Sequence, residues 1–358
     1  MLLAFCIKNF RSIVNTAVDM RLHNEAISAA PCLGMYGANA SGKSNIMDAI
    51  SLLRDIIVKR TIDSSYFPNK IQHQEPFSSF ELDFAIEQNI YSYSLMYDGL
   101  SIVGEALSCD GECLYHITSE MLDFSAIERD NYSAQKLEAI LDVECKDGRG
   151  QRAAFLSVAG RNYAGLNAKL TQAFHYISEQ IITYQYSASN TIDKIQAVSD
   201  IIKKLDISIN SMAAEQGSIY TYHTSIDGKE IRFELDEESL GTQIMTRMLG
   251  TILAALETGS VILADELDAS LHPLLLQEVI KLFKDERYNT KGAQLIFTAH
   301  NTNILEELIS AAEFGIVTKT QKKGTTLARA IDYDIADGMS LQKAYLNGEL
   351  GGIPFPYI

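Results

Sequence analysis

The chain has 358 residues, of which 47% are hydrophobic and 21% charged, and this predicts a globular protein with a sizeable core in one large domain or two ordinary ones. Its net charge of −16 argues against broad, non-specific nucleic-acid binding, which usually needs a basic surface, but it leaves room for a local basic patch or a basic partner protein. Five cysteines without a paired framework, a start unlike a signal peptide and no uninterrupted apolar span predict a cytoplasmic protein with no membrane segment.

The first strong pattern along the chain is a strand, a glycine-rich turn and a helix. The apolar run 32–36 predicts a buried strand, and Ile46, Ile50 and Leu53 recur with the spacing of one helix face. Between them, residues 37–44 read Gly-Ala-Asn-Ala-Ser-Gly-Lys-Ser, which is the G-x-x-x-x-G-K-S pattern of a phosphate-binding P-loop. This context makes the short motif a strong prediction of nucleotide binding.

Each part of the P-loop has a physical role. Backbone N–H groups of the loop and of the following helix N-terminus point at the phosphates, and Gly37 and Gly42 permit the close approach of the backbone. Lys43 is expected to reach the β- and γ-phosphates, and the Ser44 hydroxyl to bind Mg²⁺. The predicted nucleotide-binding residues of this segment are Gly37, Ala38, Asn39, Ala40, Ser41, Gly42, Lys43, Ser44 and Asn45.

The middle of the chain is less constrained. Residues 80–117 alternate like antiparallel strands of a half-exposed sheet, and the tyrosines there are expected to pack in that sheet rather than to stack on bases. The C-x-x-x-C spacing at 109–113 is incomplete for zinc, so ordinary sheet residues are expected. Two helical patterns, roughly 166–182 and 192–205, carry no sustained heptad repeat, and no long coiled coil is expected.

A hairpin and a helix start come next. The stretch 220–235 alternates around Asp227-Gly228, which predicts a β-hairpin. Ser239 and Gly241 stand where the next helix begins, so N–H and hydroxyl groups there can bind a phosphate. The alternative is that Ser239 only caps the helix.

Two further apolar runs end in polar residues. Residues 261–264 predict a central parallel strand followed by Asp265 and Glu266, at the strand end where open α/β sheets bind ligands. Asp265 is expected to hold the Mg²⁺ water shell, and Glu266 to act as the general base that polarises the attacking water. A second buried strand, 294–300, ends in His300, which is expected to stabilise charge developing on the γ-phosphate.

The order of these motifs resembles an ABC-type ATPase head of the RecF/SMC/OLD-like class. The resemblance is closest to the stand-alone AAA-family ATPases, RloA- or AbiLi-like, that accompany bacterial abortive-infection genes in anti-phage defence. It rests on the P-loop, on Glu-Ser-Leu-Gly-Thr-Gln at 238–243, on Leu-Asp-Ala-Ser-Leu-His-Pro at 267–273, on the opening strand at 7–12 and on the tail at 345–354.

The resemblance implies a fold and a division of the chain. The fold is α/β, a P-loop NTPase of the ABC-type head with an antiparallel β lobe and a compact helical insertion. The implied division has three parts: an N-terminal part of the head (1–104), a mixed β and helical insertion (105–217), and a C-terminal part of the head (218–358).

The resemblance also implies a composite ATP site between two protomers. The P-loop of one protomer holds the phosphates, Ser239 and Gly241 of the other cover the γ-phosphate, Asp268 couples the two sites, and Arg11 adds a nucleotide contact. ATP binding then closes a homodimer or higher homo-oligomer, and hydrolysis releases it. The implied catalytic residues are Lys43, Glu266, Asp268 and His300.

The sequence departs from the family pattern in places. Its signature reads Ser-Leu-Gly-Thr rather than the transporter form Leu-Ser-Gly-Gly, and residues 311–315 stand where these ATPases often carry Arg-Arg-Asp. Neither Gln72 nor Gln74 is singled out as the Q-loop glutamine. The basic turn 319–324 is expected to be a solvated hairpin tip.

Three functions stay open. The first is an ATPase switch of a defence system that controls a separately encoded effector, such as a nuclease or another toxin. The second is a RecF/SMC-like DNA-repair ATPase that clamps DNA, against which the acidic charge and the missing coiled-coil arm argue. The third is an OLD-like nuclease, for which too few residues follow His300.

Overall fold

The computed structural model describes residues 1–22, 27–59, 69, 76–128, 134–146, 150–183, 188–205, 208–269, 273–335 and 339–353. In the described residues the strands are β1 (Leu2–Phe10), β2 (Ile13–Asp19), β3 (Cys32–Tyr36), β4 (Ser78–Ile86), β5 (Asn89–Tyr97), β6 (Ile102–Cys109), β7 (Glu112–Ile117), β8 (Leu122–Asp123), β9 (Ile181–Thr183), β10 (Ile209–Glu215), β11 (Ser218–Thr224), β12 (Glu230–Glu234), β13 (Val261–Ala264), β14 (Gln294–Thr298), β15 (Phe314–Thr320) and β16 (Gly324–Arg329).

The α-helices of the same residues are α1 (Lys43–Lys59), α2 (Ser125–Glu128), α3 (Ala134–Ala139), α4 (Phe155–Asn162), α5 (Ala168–His175), α6 (Ala188–Asp193), α7 (Ile195–Leu205), α8 (Leu240–Thr258), α9 (Pro273–Lys284), α10 (Ile304–Glu307) and α11 (Leu341–Leu346). Short π-helical turns lie at Ile140–Glu144 and Tyr176–Gln180, and 3₁₀ turns at Leu235–Glu237 and Ala330–Asp332. None of these helices has the length and hydropathy that a bilayer span requires.

One large sheet organises the described residues. Its thirteen strands have the order β8-β7-β6-β5-β4-β1-β2-β16-β15-β3-β14-β13-β9. Neighbours from β8 to β2 pair antiparallel, whereas β15, β3, β14, β13 and β9 form a parallel part. The predicted α/β fold, with an antiparallel β lobe beside a parallel part of the sheet, is therefore confirmed.

The parallel part is buried on both faces. Successive side chains of a strand point to opposite sides of the sheet, and each side joins a hydrophobic core. On one face, Leu33 and Met35 of β3 join the core that contains α1, whose Ile46 and Ile50 are buried as the helical spacing predicts. On the other face, strand residues join a core with helices α8 and α9; the strand residues are Cys32, Tyr36, Ile262, Ala264, Leu295 and Phe297.

The β lobe confirms the predicted alternation. Tyr91, Tyr93 and Tyr97 of β5 lie on the covered face with at most 1% of their surface exposed, whereas Ser92 lies on the exposed face. Helices of the predicted insertion cover these rings; Tyr91 Oη donates to Gln172 of α5 at 2.7 Å. The tyrosines therefore pack in the sheet and present no face to a base.

A buried carboxylate ties the β lobe to α4. Glu105 of β6 is 3% exposed and accepts hydrogen bonds from the hydroxyls of Tyr93 (3.0 Å) and Tyr115 (2.8 Å) and from the backbone N–H groups of Phe155 (2.6 Å) and Leu156 (2.9 Å). Burial raises the pKa of Glu105. Since α4 begins at Phe155, the carboxylate also satisfies N–H groups of its first turn.

One helix prediction was wrong at its end. The pattern 166–182 becomes α5 and a π-helical turn that ends at Gln180, and Ile181–Thr183 form β9. Three residues rich in β-branched side chains pair with β13 at the edge of the parallel part, so tertiary pairing overrides the helical periodicity. The pattern 192–205 corresponds to α7, which begins at Ile195.

The main sheet continues across residue 104 within β6, and the hairpin β10–β11 continues across residue 217. The three-part division of the chain stays a prediction. The predicted hairpin at 220–235 is confirmed as β11 and β12, which with β10 form a small second sheet against α7 and α8.

Candidate functional site

Three neighbouring parallel strands deliver the predicted site residues to one edge of the sheet. The P-loop follows β3, His300 follows β14, and Asp265 and Glu266 follow β13. The strand ends meet at a pocket of about 570 Å³. The residues that line it are Asn39, Ala40, Ser41, Gly42, Lys43, Ser44, Asn45, Asp265, Glu266, His300 and Lys319. Residues far apart in the sequence thus share one cavity.

Two positions of the P-loop admit only glycine. A Cβ at Gly37 would lie 2.3 Å from the carbonyl oxygen of Val317. Gly42 has φ of +104°, and a Cβ there would lie 2.2 Å from Oγ1 of Thr325. The loop is therefore pressed against β15 and β16, and this packing keeps its backbone close to the pocket.

Lys43 is the first residue of α1 and is 7% exposed. Its ammonium group donates to the carbonyl oxygens of Gly37 (2.7 Å) and Ala38 (3.3 Å), so the side chain curls back over the loop. Burial lowers the pKa of Lys43, and the carboxylates of Asp265 and Glu266 act in the opposite direction. The cation is held where a bound phosphate would meet it.

A chain of hydrogen bonds supports the P-loop from outside. Asn45 Nδ2 donates to Ser12 Oγ at 2.6 Å, Ser12 Oγ lies 2.8 Å from Thr325 Oγ1, and Thr325 Oγ1 donates to the carbonyl of Ser41 at 2.7 Å. Thr325 is fully buried. The turn after β1 and the start of β16 therefore fix the loop between them.

Arg11 lies behind this network. It donates to Asn45 Oδ1 at 3.3 Å and forms an ion pair with Asp48 of α1. It is not among the described residues that line the pocket. The structure thus places Arg11 as a support for the start of α1, and its direct nucleotide contact stays a prediction.

The two acids differ in their backbone conformation. Asp265 and Glu266 are both exposed, and Glu266 has φ of +49°, in the left-handed region that side chains rarely adopt. Oδ1 of Asp265 accepts a hydrogen bond from Thr298 at 2.5 Å.

A Mg²⁺ site fits the residues present. The Ser44 hydroxyl and the Asp265 carboxylate line the same pocket, and both offer the oxygen donors that Mg²⁺ prefers. Among the described residues no group of three or more His, Cys, Asp and Glu side chains forms a closed metal cage. An ion held by one carboxylate and one hydroxyl keeps positions for phosphates and water, as is usual for Mg²⁺.

Asp268 connects two motifs within the chain. Its Oδ2 accepts hydrogen bonds from the backbone N–H groups of His300 and Asn301, both at 2.7 Å. The hydroxyl of Tyr36 donates to the carbonyl of Asn301 at 3.1 Å and so adds a second support. The position of His300 therefore depends on the loop after β13; the predicted coupling of two sites by Asp268 stays a prediction.

The signature segment, residues 238–243, lies apart from this pocket. Ser239 caps α8 by accepting a hydrogen bond from the N–H of Thr242 at 3.2 Å, and Ser239, Leu240 and Gly241 are exposed. Glu238 is held by His223 of β11, whose Nε2 lies 2.6 Å from Oε1. Neither Ser239 nor Gly241 is among the described residues that line the pocket.

Residues 270–272 of the motif at 267–273, the two candidate Q-loop residues Gln72 and Gln74, and Pro354 of the tail lie outside the described residues.

Sequence reasoning missed two residues of the site. Lys319 was assigned to a solvated hairpin tip; the tip itself is confirmed between β15 and β16, but Lys319 lines the pocket. Thr325 stands 284 residues from its partner Ser41, and only the sheet order brings them together. The one available signal for Lys319 was its position at the end of an apolar strand.

Residues 32–306 match the protein family described as "AAA domain, putative AbiEii toxin, Type IV TA system". The chain belongs to this AAA-domain family. No curated protein matches the sequence. The matched segment of the AAA domain includes the P-loop, the signature segment, both acids and His300.

Two of the solved structures that are similar to this AAA-domain protein are SMC head domains. An SMC head domain from Thermotoga maritima is 15% identical, with 93% of this chain and 99% of that chain covered and a TM-score of 0.42. An Smc head domain from Pyrococcus furiosus, with an extended coiled coil and bound to the C-terminal domain of ScpA, is 15% identical, with 98% of each chain covered and a TM-score of 0.48.

Proposed function

We propose that this chain is an ATP-binding and ATP-hydrolysing switch of a bacterial anti-phage defence system of the abortive-infection type. It acts in the cytoplasm as a homodimer or higher homo-oligomer and controls a separately encoded effector. ATP closes two heads on each other, and hydrolysis opens them.

The observation that carries the ATPase half of this proposal is the shared pocket. Lys43, Asp265, Glu266 and His300 come from three neighbouring strand ends and line one cavity of about 570 Å³. A cation, a carboxylate beside a metal position and a second carboxylate for the water recur in P-loop phosphoryl transfer, and an imidazole beside them can stabilise developing charge.

Each residue then has a task. The P-loop N–H groups and Lys43 seat the phosphates, and Ser44 and Asp265 hold Mg²⁺, which neutralises charge on the phosphate oxygens when bound. Glu266 takes a proton from the attacking water, and His300 stabilises the charge that develops on the γ-phosphate.

The oligomer half of the proposal rests on the exposed signature segment. Ser239 and Gly241 lie at the start of α8, where N–H groups can bind an anion, yet they are outside the pocket of their own chain. We infer that a second copy supplies them to the phosphate. Leu240, which is 71% exposed, would be covered in the same contact.

The defence role is supported by the family description, which names a toxin of a type IV toxin–antitoxin system, and by the resemblance to RloA- and AbiLi-like ATPases. The RecF/SMC-like DNA clamp remains the alternative. An ATP-dependent, salt-sensitive DNA complex at physiological salt would favour the clamp over the defence switch.

Mixing two inactive variants tests the composite site. Lys43→Ala removes the P-loop cation, and Gly241→Glu places a carboxylate beside the expected phosphate. Gly241 is exposed, and among the described residues a Cβ there meets only Ser239 Oγ, at 3.8 Å, so the fold leaves room for a side chain to start there. Each variant alone should be inactive, and the mixture should regain ATPase activity because one site of the heterodimer is intact.

Gly165→Glu is the matched control, since Gly165 is exposed and a Cβ there meets no atom of the described residues within 4 Å. It should leave activity unchanged. Wild-type activity of Gly241→Glu, or a mixture that stays inactive while Gly165→Glu is active, would reject the composite site.

The effector is tested by purification. The chain should co-purify with the product of the adjacent gene, and the amount bound should differ between ATP and ADP. Binding of no neighbouring product in either nucleotide state would remove the basis of the defence role.

A further inference from the structure

A buried threonine joins the two acids of the pocket. Thr298 is the last residue of β14 and is fully buried between β13 and β3. Its Oγ1 lies 2.5 Å from Oδ1 of Asp265 and 2.7 Å from the backbone nitrogen of Glu266. Because a hydroxyl has one hydrogen, Thr298 donates to the Asp265 carboxylate and accepts from the Glu266 N–H.

The same threonine holds the unusual backbone of Glu266. A non-glycine residue at φ of +49° persists only where its surroundings fix it. The Glu266 N–H is bonded to Thr298 Oγ1, and the Leu267 N–H donates to the Thr298 carbonyl at 3.0 Å. These two N–H groups belong to the peptide units on either side of the Glu266 Cα. One residue therefore fixes both dihedral angles of Glu266.

We propose that Thr298 is a positioning residue that sets the direction of both carboxylates before the nucleotide arrives. Its hydroxyl turns Asp265 toward the metal position beside Ser44, and it holds Glu266 in the left-handed conformation from which the side chain enters the pocket. This inference rests on the proposed ATPase function.

The hydroxyl distinguishes this role from space filling. A residue that only fills the end of β14 needs the size and β-branched shape of threonine, which valine shares. A positioning role needs the oxygen, because its two hydrogen bonds end on the groups that act on metal and water. Fixing such groups in advance avoids their reorganisation during the reaction.

Thr298→Val and Thr298→Ser separate the two roles. Three quantities are measured: ATP turnover, the Mg²⁺ concentration for half-maximal turnover, and the affinity for a fluorescent ATP analogue in EDTA and in Mg²⁺. Thr298→Val should lower turnover about 10- to 100-fold and raise the Mg²⁺ requirement, as loss of an outer-shell partner does. Analogue binding in EDTA should stay within about twofold of wild type, since the P-loop is untouched.

Thr298→Ser should keep turnover and Mg²⁺ dependence near wild type, because it retains the hydroxyl oxygen. Thr251→Val is the matched control: Thr251 is buried in α8, and within the described residues its hydroxyl donates to the carbonyl of Arg247 in the same helix. It should leave all three quantities near wild type. If Thr298→Val does not fold, Thr298→Cys, whose thiol is a weak donor, takes its place and should show the same losses.

Wild-type turnover and Mg²⁺ dependence in Thr298→Val, or equal impairment of Thr298→Ser, would overturn the positioning role while the ATPase function stands. A wild-type chain that neither binds the analogue nor hydrolyses ATP overturns the proposed function itself, and the inference with it.

Discussion

The phosphate pocket and the signature segment differ in how firmly the chain holds them. The pocket lies at the ends of strands buried on both faces, and its loop is fixed by the hydrogen bonds that run through Thr325 to Ser41. The signature segment begins a helix on the surface, beside a three-stranded sheet whose outer strand β12 is exposed along its length. The first region forms a pocket within one chain, whereas the second is exposed at the surface.

This difference separates two kinds of binding energy. In the proposed site, the backbone of the pocket is already held in place, so a single chain would seat phosphates with little rearrangement. The signature residues would contribute only after a second copy arrives, and their contribution would depend on protein concentration. Changes in the pocket should therefore alter chemistry and affinity, and changes in the signature should alter association.

The largest expected effect is on turnover. Glu266→Gln keeps the size of the side chain and removes the base, so turnover should fall about 10²- to 10⁴-fold while ATP still binds. Single-turnover phosphate release checks the loss of turnover, and analogue binding on the same preparation checks that ATP binding is retained. Equal turnover in the variant and wild type would exclude Glu266 as the base.

A smaller effect on affinity is expected for Lys43→Ala. The Lys43 ammonium, which bonds the loop carbonyls of Gly37 and Ala38, is expected to bond the phosphates of bound ATP. Its loss should weaken ATP binding about 100-fold, the worth of one or two charge-assisted hydrogen bonds. Gly241→Glu should leave the affinity of a dilute single chain nearly unchanged. Calorimetry measures the ATP affinity of both variants. Equal losses of affinity would contradict the expected difference between the pocket and the signature segment.

Asp268→Ala tests the link to His300. The substitution leaves two backbone N–H groups without their acceptor, so His300 should shift and turnover should fall about 10-fold, as for other outer-shell partners. Asp268→Asn keeps an acceptor oxygen and should lose less. Kinetics of both variants at saturating ATP and Mg²⁺ measure this; an Asn variant as impaired as Ala would point to the charge instead of the bond.

The smallest effect is expected for Lys319→Gln. Lys319 is exposed at the rim of the pocket, so its charge is screened and its loss should weaken ATP binding only about threefold, and less at high salt. Titrations at two salt concentrations check this. A loss that does not change with salt would indicate a direct, desolvated contact.

Local patterns made much of the pocket predictable. The P-loop, the apolar strands before Asp265 and His300, and the cap at Ser239 each depend on residues within a short window, where spacing and composition carry the information. The sheet order could not be read that way. The order of the strands brings Thr298 next to Asp265 and Thr325 next to Ser41. These partners are 33 and 284 residues apart in the sequence.

The one wrong helix end has the same origin. Residues 176–182 continue a helical spacing, but Ile181 finds a partner in Val261 at the edge of the parallel strands. A short stretch of sequence shows the helical periodicity but not the distant strand with which Ile181 pairs. Roles that need a second copy or an effector are further removed, because a single chain contains only one side of such a contact.

Helix α8 gives the exposed and buried regions a mechanical connection. Its 19 residues span about 28 Å at 1.5 Å per residue, from Leu240 at the surface to Thr258. The left-handed turn of Gly259 then leads, after Ser260, into β13. The helix is thus a stiff rod with the exposed signature segment at one end and, at the other, the strand that both acids follow. Hydrogen exchange of the β13 amides should therefore report whether the signature end of α8 has bound a second copy.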